Sequence, residues 1–196
     1  MTTDHIIKVL LIENDNAKAQ AVMVALGKQK YDITHVSDGG LALLKVVDMN
    51  QPDLIIMDVE SPDRDIVESL NQMSLINPKP VVMFSEQGDA AMIQSLVKSG
   101  VSAYIVGDVD PARVKSIVDI AIARFTEYQQ LKNELLEAKK QLSSQKTIEQ
   151  AKIWLMETKH LSEKNAYHRM RKLAMDNGQT IEDVAKSMLS VAAMLN

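Results

Sequence analysis

Cysteine is absent from the 196 residues, which excludes a disulfide framework, a thiolate metal site and a cysteine nucleophile. No stretch approaches the roughly 20 apolar residues of a membrane span. The apolar run Ile6 to Ile12 is broken by Lys8 and is too short for a signal segment with its cleavage site. The four histidines, His5, His35, His160 and His168, have no metal-ligand spacing, and there is no nucleophile–histidine–acid set. No Gly/Ser/Thr-rich phosphate loop follows that first apolar run, which argues against a flavodoxin-type cofactor. Internal repeats and low-complexity tracts are missing too. These absences point to a soluble, cytoplasmic protein that is not an enzyme and has no membrane partner.

What is present is ordinary in amount: 46% hydrophobic and 24% charged residues, the balance of a globular protein. The net charge of −4 is unevenly spread. Residues 146–196 carry eight basic against six acidic side chains, a net of +2, which leaves −6 on the remainder. A mildly basic tail on an acidic body suits a control module joined to a nucleic-acid-binding one, although many exposed helices are as basic for solubility alone.

The first half alternates strand and helix. Lys8–Ile12, Tyr31–Val36, Leu54–Met57, Pro80–Phe84 and Ala103–Val106 read as strands. Ala17–Leu26, Gly39–Val47, Ile66–Met73 and Ala90–Lys98 read as the helices between them. Short strands alternating with helices of about ten residues imply βαβ units and a parallel sheet. The expected fold over residues 1–125 is therefore a flavodoxin-like, doubly wound α/β domain, whose site lies at the carboxyl ends of the strands. Polar residues gather at three such ends: Glu13-Asn14-Asp15, Asp58 and Ser85.

After Asp110-Pro111, a good helix start, apolar positions recur at alternating spacings of three and four. They are Val114, Ile117, Ala121, Tyr128, Leu131, Leu135, Ala138 and Leu142, with Arg124 as the one charged member. This heptad seam predicts a coiled-coil linker over residues 112–145 and a homodimer, the alternative being one amphipathic helix lying along its own domain. Residues 146–196 hold three one-faced helical sets. The first is Ile148, Ala151 and Leu155; the second Ala166, Met170, Leu173 and Ala174; the third Ile181, Val184, Ala185, Met188 and Leu189. Such faces must bury one another, which predicts an all-α three-helix bundle. Ser162 and Thr180, the latter supported by Asp183, read as N-caps, and Asn177-Gly178 as a helix stop.

The tail segments Ile148-Glu149-Gln150-Ala151-Lys152, Leu155-Met156, Leu161-Ser162-Glu163, Ala166-Tyr167 and Arg169 through Met175 resemble the ANTAR domain of the AmiR/NasT transcription antitermination regulators. That resemblance implies binding of paired hairpins in leader transcripts. Carried over by position, Lys152, Arg169, Arg171 and Lys172 are the implied RNA contacts. Without the resemblance, a merely solvated basic helix face is the better reading. Trp154 and Tyr167 are expected to pack in the bundle rather than stack on bases. The family's Gly-Ile of the first tail helix is Ile153-Trp154 here.

The segment Pro52-Asp53-Leu54-Ile55-Ile56-Met57-Asp58, with Pro62 four residues on, resembles the phosphoacceptor segment of two-component receivers. By that resemblance Asp58 is the acceptor, Glu13 an acidic-pocket residue and Glu60 a backbone-carbonyl ligand. Ser85 is then the phosphate-sensing hydroxyl and Tyr104 the aromatic switch. Glu13, Asp58 and Glu60 together form a weak magnesium site. Two departures bear on the chemistry. Glu13-Asn14 stands where an acidic pair is usual, with Asp15 one position late, and Gly107-Asp108 stands where Lys-Pro is usual. A weakened metal site without the lysine implies poor phosphorylation or none.

The expected function is that of an RNA-binding antiterminator of response-regulator type, controlled by a sequestering sensor protein. The phrase Gly100-Val101-Ser102-Ala103-Tyr104 resembles the NasT branch, which implies nitrate and nitrite assimilation. The competing reading is a phosphorylation-switched two-component response regulator of a phosphorelay, with DNA-binding or protein-binding output. No tail helix pair carries a helix-turn-helix signature.

Overall fold

The computed structural model describes residues 6–37 and 43–195. Its elements are β1 (Ile7–Ile12), α1 (Asn16–Leu26), β2 (Tyr31–Val36), α2 (Leu43–Asn50), β3 (Leu54–Asp58), α3 (Arg64–Ile76), β4 (Val81–Ser85) and α4 (Ala90–Lys98). β5 (Ala103–Val106), α5 (Pro111–Lys159), α6 (Glu163–Asn177) and α7 (Ile181–Leu195) follow. Positions 39–42 of the expected second helix, and His5, lie outside the described residues.

The five strands pair in parallel in the order β2-β1-β3-β4-β5, the expected doubly wound sheet. Side chains alternate across a strand, so each of the three central strands feeds two cores. Leu10, Ile12, Ile55, Met57, Val81 and Met83 meet Leu43, Val46 and Val47 of α2, Leu70 and Met73 of α3, and Leu96 of α4. On the other face Val9, Leu11, Leu54, Ile56, Val82 and Phe84 meet Ala19, Val22 and Leu26 of α1 and Val114, Val118 and Ala121 of α5. Covering both faces is what makes these strands read as unbroken apolar runs.

Contacts divide the chain into two compact units, one ending at Gln129 and the other starting at Gln130. α5 belongs to both. It starts where the Asp110 carboxylate accepts the Ala112 N–H at 3.0 Å, with Pro111 in its first turn. It then runs unbroken for 49 residues, because residues 112–159 contain neither glycine nor proline. The linker and the first tail helix, read from sequence as separate segments, are thus parts of one helix. Its heptad seam is split in use: Val114 and Ala121 are buried in the first unit, whereas Tyr128, Leu131, Leu135 and Leu142 are each more than half exposed.

In the second unit Ala151 and Leu155 of α5 pack with Ala166 and Met170 of α6 and Ala185 of α7. Small residues at these crossings let the helices approach closely. Ser162 caps α6 through the Asn165 N–H at 3.4 Å. Gly178, at φ +62°, closes its far end with its N–H directed to the carbonyls of Ala174 and Met175, a left-handed position that glycine takes without strain. At the start of α7, Thr180 and Asp183 form a reciprocal capping box. The Asp183 N–H donates to Thr180 Oγ1 at 3.1 Å, and the Thr180 hydroxyl and N–H donate back to Asp183 Oδ2 at 2.7 and 3.3 Å.

Trp154, the chain's single tryptophan, packs against this second core, so its fluorescence reports on the tail. Thr180→Ala is expected to lower the stability measured by a Trp154-monitored urea melt by about 1 kcal/mol. An unchanged midpoint would show that the capping box does not contribute.

Candidate functional site

β1 and β3 lie side by side with Ile12 opposite Met57, which brings the next residue of each, Glu13 and Asp58, together at the carboxyl edge of the sheet. Because β1 has β2 on one flank and β3 on the other, this edge is the topological switch point of the fold. Glu13 is buried. Its Oε1 accepts the Asp15 N–H at 2.8 Å, while Glu13 Oε2 and Asp58 Oδ2 are buried with no hydrogen-bond partner. Burial raises the Asp58 pKa to about 6, helped by the neighbouring Glu13 carboxylate and opposed by Lys18.

The other residues at this edge take separate positions. Asn14 is exposed. Asp15 is turned away to cap α1, accepting the N–H groups of Ala17 at 2.7 Å and Lys18 at 3.3 Å. Ser85 is buried at the end of β4; its hydroxyl donates to the Glu60 carbonyl at 3.1 Å and accepts the Gln87 N–H at 3.3 Å. Gln87 also donates from Nε2 to Ser61 Oγ at 2.8 Å, and its carbonyl accepts the Tyr104 hydroxyl at 2.7 Å. Gln87 therefore ties the β3–α3 loop, the β4–α4 loop and β5 together, a role with no signature in the sequence.

The position after β5 holds Gly107 at φ +105°, a backbone conformation that a lysine would strain. The cation at this edge comes instead from α1. Lys18 Nζ lies 2.8 Å from Asp108 Oδ1 and 3.7 Å from Asp58 Oδ2. Its pKa is raised, first by the hydrogen bond to Asp108 and then by the charges of Asp58, Asp108 and Glu13, against the opposing effect of burial. Asp108 is correspondingly lowered by Lys18.

The residues suit a hard divalent cation in part. Two carboxylates, each with an unpartnered buried oxygen, can hold magnesium with water completing the shell. Among the described residues no group of three or more acidic or histidine ligands forms, and the Glu60 carbonyl already receives the Ser85 hydroxyl.

In the tail, α6 buries Ala166, Met170 and Ala174 and turns Lys164, His168, Arg171 and Lys172 to the opposite side, with Arg169 beside them; all five are exposed. Lys152 is placed differently. Its ammonium is held at 2.7 Å from both Glu149 Oε2 and Glu163 Oε1, and its side chain is 12% exposed. Trp154 packs against the tail core as expected. Tyr167 is exposed and lines a shallow cleft with Lys152, Ser162, Glu163 and Lys164.

Residues 9–119 match the family model of the response regulator receiver domain, and residues 136–189 that of the ANTAR domain. The chain is 26% identical over 183 residues to the transcriptional regulatory protein PdtaR of Mycobacterium tuberculosis, covering 93% of this chain and 89% of that protein. It is 34% identical over 80 residues to the nitrate regulatory protein of Klebsiella oxytoca, covering 41% of this chain and 20% of that protein. A solved response regulator from Thermotoga maritima superposes with a TM-score of 0.53 at 19% identity, covering 61% of this chain and 99% of that one. That last likeness speaks for the fold alone.

The raised pKa of Asp58, about 6 against an ordinary 3.8, means that the folded chain holds this proton more tightly than the unfolded one. The cost of the ionised carboxylate is thus absent below about 3.8, grows as pH rises from there to about 6 and is level above that. Asp58→Asn in EDTA is expected to stabilise the first unit by about 1–2 kcal/mol at pH ~8, with no gain at pH ~3, allowing for solvent at the pocket mouth. Thermal melts across that range check it, and a gain that does not depend on pH would contradict it.

Proposed function

The chain belongs to the response regulators that join a receiver domain to an ANTAR domain, and on that premise we propose that it binds hairpins in leader transcripts and prevents transcription from terminating. The observation that carries this reading is the exposed basic side of α6. Arg169, Arg171 and Lys172 make no hydrogen bond or ion pair among the described residues, so they meet a phosphate backbone without first giving up a partner. Sequence-specific RNA readers address unpaired loop bases by stacking and edge contacts, backed by cations on the phosphates. The exposed ring of Tyr167 supplies a stacking surface beside that basic side. Lys152, the fourth expected contact, reaches a phosphate only by exchanging Glu149 and Glu163. The first three therefore carry the larger share of affinity.

Two copies joined through Tyr128, Leu131, Leu135, Ala138 and Leu142 would present two tail units to two hairpins, and linkage would raise affinity without any new contact. The exposure of the large members of this set supports such a pairing. Control falls to a sensor protein that sequesters the regulator rather than to phosphorylation alone, since Gly107 supplies no lysine for a phosphoryl group. If magnesium binds, Glu13 and Asp58 hold it, and it would offset negative charge as a phosphoryl group reaches Asp58. The likeness to a nitrate regulatory protein supports nitrate and nitrite assimilation as the pathway.

The test is titration of the full chain, at one salt concentration, against a two-hairpin leader RNA, a one-hairpin RNA and a duplex DNA of equal length. Tight binding to the double hairpin and much weaker binding to the other two is expected. Equal, weak and salt-sensitive binding to all three would overturn the proposal. Arg169→Ala with Lys172→Ala is expected to weaken double-hairpin binding on the order of tenfold and to flatten its salt dependence. The Trp154-monitored melt should stay unchanged.

A further inference from the structure

Glu13 and Asp58 meet at the carboxyl edge of the sheet, Asp108 follows in the loop after β5, and Lys18 is the cation that feels the charge of all three. Its place is set from several sides. Asp15 fixes the first turn of α1 by accepting the Lys18 N–H, and Asp108, from the loop after β5, holds the ammonium at 2.8 Å. The two residues stand 90 positions apart in the chain, so the contact is a product of the fold and not of local spacing. From that anchor Lys18 Nζ faces Asp58 Oδ2 at 3.7 Å. This is the same buried oxygen that lacks a hydrogen-bond partner and that a divalent cation would require. An ammonium at that distance and a dication on that oxygen repel each other in a partly dry pocket, so each weakens the hold of the other.

We propose that Lys18 is the resident counter-cation of this pocket, tethered by Asp108 over Asp58, and that it stands in part for a divalent ion by offsetting some of the pocket's negative charge without metal. Asp108 then has a purpose in this chain: it aims the lysine of α1 at Asp58. Lys18 is a positioning residue in this scheme, acting on the availability of Asp58.

The test compares the full-length wild-type chain with Lys18→Met, which keeps the stem and removes the charge, and with Lys18→Arg, which keeps the charge. Magnesium titration calorimetry and far-ultraviolet melts, with EDTA or with added magnesium, are the readouts. Lys18→Met is expected to melt lower than wild type in EDTA, to recover when magnesium is added, and to bind magnesium on the order of tenfold more tightly. Lys18→Arg should behave as wild type. In an Asp58→Asn background the penalty of Lys18→Met should largely vanish, because the charge that Lys18 offsets is gone. Equal magnesium affinity in wild type and Lys18→Met, or a Lys18→Met penalty that persists undiminished beside Asp58→Asn, would overturn the proposal. Failure of Lys18→Met to fold even with magnesium and with Asp58→Asn would mean that the ammonium is needed for a contact other than the charge of Asp58, which overturns it equally.

Discussion

A parallel sheet has two apolar faces and must cover both; the arrangement of this chain follows from that requirement. Three helices cover one face, and α1 with the first part of α5 covers the other. The commitment of Val114, Val118 and Ala121 to the sheet removes the first heptads from any pairing between copies and leaves the later ones exposed. The same winding places all strand ends that matter at one edge, where chain reversal between neighbours opens a crevice. Acidic residues at such an edge gain proximity at the expense of solvation.

That expense governs the chemistry of the first unit. Glu13 is buried and the adjacent Asp58 half-buried, each with a buried oxygen that has no hydrogen-bond partner, so the charge between them is offset by a proton, a metal or a side chain. Lys18 provides the side chain, and Asp108 keeps it there. The second unit follows the opposite logic. Its basic side chains on α6 are exposed and have no ion pair among the described residues, while Lys152, at the helix junction, is neutralised by two glutamates. An acidic pocket with its own cation and a basic face without counter-charges suit the proposed division into a control unit and an RNA-binding unit.

Much of this was legible before the fold was known, and the limits are physical. Leu54 to Met57 reads as a buried strand because nothing polar interrupts it, and Asp58 follows as a strand-end carboxylate. Ser162, Thr180 with Asp183, and Gly178 announce helix ends because capping is local chemistry. Lys18 gives no such signal. In sequence it is a polar position on a helix, and its meaning depends on a loop 90 residues away. Gln87 is hidden for the same reason, since two of its bonds cross between loops and strands. The continuity of α5 was obscured by reading linker and tail as separate patterns when no breaker stood between them. Lys152 looks like a free cation on one helix, and only the turn into α6 brings Glu163 to it.

On the proposed function, the exposed basic side of α6 is where RNA is read. The most direct measurement is photo-crosslinking of the full chain to a two-hairpin RNA carrying 4-thiouridine in its loops, with the attached peptide identified by mass spectrometry. The account predicts crosslinks within Glu163–Asn177, centred on Tyr167 to Lys172. Crosslinks confined to residues 6–129, or equal labelling by a hairpin with a scrambled loop, would contradict it.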